Sequence, residues 1–121
     1  MEPRPFQATV RYPSDARAVI LDIAGDIDGR AEQALNRAFT DAEATNPHKV
    51  VLNFAGVTYI NSTGIALVVG LLTRARKQHR VLTAWGLSEH FRDIFEITRL
   101  AEYMPIYADE IAALAGAPAV A

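Results

Sequence analysis

The run Ile65 to Leu72, IALVVGLL, constrains the fold more than any other stretch of the chain. It is far shorter than the roughly 20 apolar residues needed to span a bilayer, so no membrane insertion is expected and the run belongs inside a domain. Directly upstream stand Tyr59-Ile60-Asn61-Ser62-Thr63-Gly64, and before them Lys49 to Phe54, KVVLNF. The latter is short, β-branched and bounded by turn residues, which reads as a buried strand. The pattern therefore predicts a strand, a polar turn, and a helix from about Ser62 to about His79. Ile65, Val68, Val69 and Leu72 form one helical stripe, and Ala66, Leu67 and Leu71 widen it beyond the usual third of a circumference. A helix of this kind needs deep cover, or a partner.

The flanking sequence supplies that cover. Phe6, Ala8 and Val10 alternate with Gln7, Thr9 and Arg11, the pattern of a strand with one solvated face. Pro13-Ser14-Asp15 signals a turn. Ala18 to Leu21 with Ile23 forms a second strand, and a simple hairpin makes the two antiparallel. Gly25-Asp26-Ile27-Asp28-Gly29 breaks the strand pattern. Asp28 is suited to cap the next helix, in which Ala31, Leu35, Ala38, Phe39 and Ala42 share one face and which ends before Asn46-Pro47. Val81 to Trp85 is a further strand. Ser88 caps another helix, with Glu89 at its positive end and Phe91, Ile94 and Phe95 facing inward. Met104 to Tyr107 is a last extended segment and Ala108 to Leu114 a last helix.

The order β-β-α-β-α-β-α-β-α predicts a single α/β domain over residues 1–116. Its sheet is mixed and mostly parallel, with four or five strands and about four helices. Residues 117–121 read as a frayed tail.

Most catalytic classes find no support. With 121 residues, no cysteine, a net charge of -2 and a pI near 5.9, the chain offers no thiolate chemistry and no basis for nucleic-acid binding. His48, His79 and His90 lie in separate segments without metal-ligand spacing. No phosphate loop, GxSxG elbow or HExxH is present, so no enzyme, metal or cofactor is expected. MEPRPFQATV lacks the apolar core of a secretory signal, which points to the cytoplasm.

One chemical feature remains, the hydroxyl pair Ser62 and Thr63 at a helix start. Ser62 or Asn61 can cap the helix. The same place, where unpaired N–H groups carry partial positive charge, also suits an anion. A phosphate on Ser62 would add about -1.5 to -2 charges there and repel an acidic or dry apolar docking surface. Gly64 would keep the surface beside the hydroxyl open.

The stretch VVLNFAGVTYINSTGIALVVGLL resembles the central signature of the STAS domain family, [DN]-[FL]-[SA]-G-V-x-[FY]-[IM]-[DN]-S-[ST]-G followed by an apolar helix. Gly25-Asp26-Ile27-Asp28 resembles the family's G-x-[LIF]-D element, and FRDIFEITRLAEYMPIYADEIAAL resembles its closing part. The resemblance implies a bacterial anti-sigma factor antagonist, a regulatory protein that sequesters an anti-sigma factor. That partner is often also a serine kinase, opposed by a dedicated phosphatase. It places the phosphoacceptor on Ser62, with Thr63 as second choice. It assigns site-supporting roles to Asp26, Asn61 and Gly64, and a partner surface to Asp26, Asn61, Ser62, Thr63 and Leu67. Asn61 stands where many members have aspartate, which lowers the local negative charge by one. Stand-alone members also resemble STAS subunits of lipid-trafficking ABC transporters. Others bind partners without phosphorylation. A pocket near Asp26 and Asn61 would suit a small-ligand sensor, and the apolar surface of the second helix would also serve a homodimer.

Overall fold

The computed structural model describes residues 4–14 and 17–116. The end of the expected turn, Asp15, and the expected tail at 117–121 lie outside them. Within them, strand β1 (Gln7–Arg11) runs antiparallel to β2 (Ala18–Ile27). Then follow α1 (Glu32–Glu43), β3 (Lys49–Ile60), α2 (Ser62–Lys77), β4 (Val81–Trp85), α3 (Glu89–Ile97), β5 (Ile106–Tyr107) and α4 (Glu110–Ala115). The five strands lie in the order β1-β2-β3-β4-β5, and every pairing after the first is parallel. This is the mixed, mostly parallel α/β sheet expected from the element order.

Alternation along the strands divides the molecule into two unequal layers. Val19 and Leu21 of β2, Val50 and Leu52 of β3, and Leu82 and Ala84 of β4 face α1, α2 and α3 in one continuous core. Phe54 meets Phe95 of α3 edge-on, with ring centroids 5.6 Å apart. Ile20 and Val51 point to the opposite face, where Ala113 and Leu114 of α4 cover them. On that face Arg11 binds Asp22 through two nitrogens at 2.8 and 2.9 Å, and also reaches Glu110 of α4. The Asn53 amide donates to Asp22 at 2.8 Å. These bonds, the Arg11 guanidinium first, hold the Asp22 carboxyl below its ordinary value against the opposing effect of partial burial.

Two strands run longer than the hydrophobic pattern predicts. β2 continues to Ile27 through the glycine-rich stretch, and β3 continues to Ile60 through Ala55 and Gly56. The register between them shifts at Asp22/Ala24 and again at Gly25/Asp26. Bulges of this kind interrupt the two-residue period without ending the pairing. Gly25 flanks the second shift and lets the segment before β1 approach closely. Its φ is +85°, and a Cβ there would sit 2.1 Å from the Pro5 carbonyl oxygen.

The inward face of α2 also differs from the expected stripe. Gly64, Val68, Leu71, Leu72 and Ala75 are buried, whereas Val69 is 42% exposed. The buried set follows i, i+4, i+7, i+8 and i+11 from Gly64, because the helix enters the core at that glycine and not at Ile65. Burying Val68, Leu71 and Leu72 contributes about 1.5–3 kcal/mol each before conformational costs.

Candidate functional site at the start of helix α2

β2 and β3 end side by side, with Ile27 paired to Ile60. The chain then turns directly into α2. The Asn61 N–H donates to the Ile27 carbonyl at 3.3 Å. Asn61 has extended dihedrals (φ -107°, ψ -176°), and its Oδ1 accepts from the Gly64 N–H at 2.9 Å. Asn61 is therefore the N-cap, and Ser62 is the first helical residue. The N–H groups of Ser62 and Thr63 have no partner within the helix, which leaves the positive pole of α2 at this point.

Ser62 is exposed. Among the described residues its hydroxyl has no hydrogen-bond partner, so no neighbouring base activates it as a nucleophile. What the arrangement offers is an accessible acceptor for a group delivered from outside. Thr63 is exposed too, and its methyl lies against Gly29, 3.6 Å from where a Cβ on that residue would stand.

Gly64 does not keep the surface open, as its position in the sequence suggests. It is buried, and a Cβ there would lie 2.0 Å from the Ile27 carbonyl oxygen and 2.9 Å from the Ile60 side chain. The glycine lets the first turn of α2 press against the end of β2, and so fixes where Ser62 emerges.

The structure separates the two aspartates of the upstream element. Asp26 is part of β2, level with Tyr59. Its carboxylate accepts from the Thr58 hydroxyl at 2.8 Å and from the Arg4 N–H at 3.1 Å, and its own N–H donates to the Arg4 carbonyl at 3.0 Å. Among the described residues no hydrogen bond joins Asp26 to Asn61 or Ser62, so its visible work is to hold the segment before β1. Asp28 directly precedes Gly29, the residue that the Thr63 methyl approaches. It caps the short 3-10 turn Gly29–Ala31 by accepting from the Arg30 N–H at 2.9 Å, and it pairs with the Arg30 guanidinium at 2.6 Å. The Arg30 side chain, then its N–H, holds the Asp28 carboxyl below its ordinary value. The signal for Asp28 was in the sequence, since it occupies the final position of the G-x-[LIF]-D element.

Leu67 is half-buried and packed on the core. The exposed side of α2 that continues from Ser62 carries Ala66, Val69 and Thr73 instead, at i+4, i+7 and i+11. On the other side of the motif, Tyr59 is 50% exposed. It borders a cleft of about 450 Å³ that also includes Thr58, Ser88 and His90. Neither Ala66 nor Tyr59 was singled out by sequence reasoning, because small and aromatic residues next to a core motif read as core.

The model of the STAS domain matches residues 9–113, which include both layers and the whole site. The chain belongs to the STAS domain family. It is 30% identical over 84 residues to the anti-sigma-B factor antagonist of Staphylococcus epidermidis, covering 69% of this chain and 78% of that relative. Among solved structures, an anti-sigma factor antagonist from Mycobacterium paratuberculosis superposes with a TM-score of 0.81 at 19% identity, over 95% of this chain and 96% of that one. The Bacillus cell fate determinant SpoIIAA in its phosphorylated form superposes at 0.67 and 19% identity, over 94% of this STAS domain and all of its own chain (100%). These likenesses establish the shared fold. No helix among the described residues is long and apolar enough to cross a membrane.

Proposed function

We propose that this STAS domain is an anti-sigma factor antagonist whose binding to an anti-sigma factor is switched by phosphorylation of Ser62. The observation that carries the reading is the division of labour at the start of α2. Asn61 caps the helix, so the Ser62 hydroxyl is left exposed and uncommitted at the positive pole. A cap can be removed only at a cost to the fold, whereas an uncommitted hydroxyl can be modified without one. Ala66 and Val69 continue the exposed surface from Ser62 and give an anti-sigma factor an apolar landing area. A phosphate on Ser62 would place about two negative charges on its rim, tolerable to the helix but not to a docked carboxylate or dry patch. The relatives named as anti-sigma-B factor antagonists support the same role.

The proposal gives the anti-sigma factor a second role as a serine kinase, opposed by a phosphatase, in the cytoplasm. Thr63, with its methyl against Gly29, is the less available acceptor. The test is incubation with the cognate kinase and ATP, followed by mass spectrometry of the peptide containing Asn61 to Gly64. One added phosphate on Ser62, abolished by Ser62→Ala, is expected. An unmodified Ser62, together with a Ser62→Ala variant that responds to kinase and ATP as wild type does, overturns the switch.

A further inference from the structure

We propose that β1 and α1 form the two-fold interface of a homodimer, with a second copy of this chain seated on the open edge of the sheet. This inference stands apart from Ser62, which lies at the start of a different helix.

The sheet has two edges. One is β5, only two residues long and too short to template further pairing. The other is β1, five residues from Gln7 to Arg11, which pairs with β2 on one side and with no strand on the other among the described residues. The usual protections of such an edge are weak here. β1 contains no proline and no lysine, and its one charge, Arg11, is turned to the face beneath α4 by Asp22 and Glu110. Beside this edge runs a groove of about 650 Å³ between β1 and α1, floored by Ala8, Val10 and Ala38. Tyr12, 60% exposed, stands at its mouth.

The rim of the groove identifies the occupant. Arg37 and Asp41 lie four residues apart on the exposed face of α1, and both line the groove. Among the described residues neither side chain makes an ion pair or a hydrogen bond, to the other or to anything else. One such cation and one such anion, four residues apart on a single helix face, are complementary to a copy of themselves. A two-fold axis maps i on j and j on i, so Arg37 meets the Asp41 of the second copy and Asp41 meets its Arg37. The same axis, passing Thr9, pairs β1 with its copy in antiparallel register, Thr9 opposite Thr9 and Ala8 opposite Val10. The two grooves then close on each other, and each open edge is satisfied.

Sedimentation velocity over a wide range of concentration, with Arg37→Asp, Asp41→Arg and the double variant, tests this. All these side chains are exposed, and circular dichroism checks that each variant is folded. Wild type should dimerise. Either single variant should weaken the dimer at least about tenfold, because each places like charges opposite one another. The double variant should restore it by exchanging the partners of both pairs, and Val69→Asp on α2 should leave it unchanged. A wild type that stays monomeric at high micromolar concentration overturns the proposal. So does a dimer indifferent to both single variants, or one dissolved by Val69→Asp.

Discussion

Gly64→Ala gives the sharpest test of how the site is built. Alanine is favoured over glycine inside a helix by about 0.8–1 kcal/mol, so propensity alone predicts a more stable protein. The structure predicts the opposite. The added methyl would stand 2.0 Å from the Ile27 carbonyl oxygen, 2.8 Å from its carbon and 2.9 Å from the Ile60 side chain. Two of these three atoms are backbone, so no rotamer change relieves the clash and the first turn of α2 must lift off β2. Overpacking of this kind costs about 1–3 kcal/mol, and a rigid obstacle puts Gly64 at the upper end. Less the propensity gain, the net loss is about 2 kcal/mol, or roughly 5–10 °C in Tm for a domain of this size. Gly70 is the internal control. It lies in the same helix with nothing within 4 Å of an added Cβ, so Gly70→Ala should stabilise by up to about 1 kcal/mol. Urea and thermal denaturation followed by far-ultraviolet circular dichroism measure both. A Gly64→Ala variant at least as stable as wild type, with Gly70→Ala behaving alike, would refute the close approach of α2 to β2.

Asn61→Ala should lose about 1 kcal/mol in urea denaturation, while Asn61→Asp should retain wild-type stability because aspartate caps equally well; equal stability of the alanine variant would remove Asn61 from the capping role. Asp22 has its folded carboxyl lowered, so its contribution is fully present above the unfolded value of about 3.9 and is lost as pH falls through the folded value. Wild type should therefore lose more stability on acidification below about pH 4 than Asp22→Asn does, and parallel pH profiles would contradict the Arg11–Asp22 linkage. Asp26→Asn should loosen the segment around Arg4, read as faster amide exchange there, and leave kinase modification of Ser62 unchanged; a lost modification would instead join Asp26 to the site.

The element order was legible because each period change is bracketed by punctuation that physics requires. Ser88 accepts from the Phe91 N–H at 3.2 Å, as a cap at that position must, and Val81–Trp85 is a strand over the residues its pattern marks. The misread features share a cause, close backbone approach that leaves no trace in hydrophobicity. Gly25 and Gly56 look like strand breakers and are paired residues inside long strands, beside the register shifts, and Gly64 looks like an opening and is a contact. Displacing the buried stripe to begin at Gly64 turned Val69 outward. At the site, Ser62 and Asn61 were visible as a pair, but only the hydrogen bond from Gly64 decides which of them caps. The roles of Asp26 and Asp28 divided only when Arg4 and Thr58 came together around the first, and Arg30 folded onto the second.

The proposed role of Ser62 as an outward-facing control point is tested most directly by the affinity of an anti-sigma factor for wild type and for Ser62→Asp. Titration calorimetry on the two purified proteins should show binding weakened at least tenfold, about 1.4 kcal/mol, with the fold of the variant intact. Equal affinity for the two would contradict it.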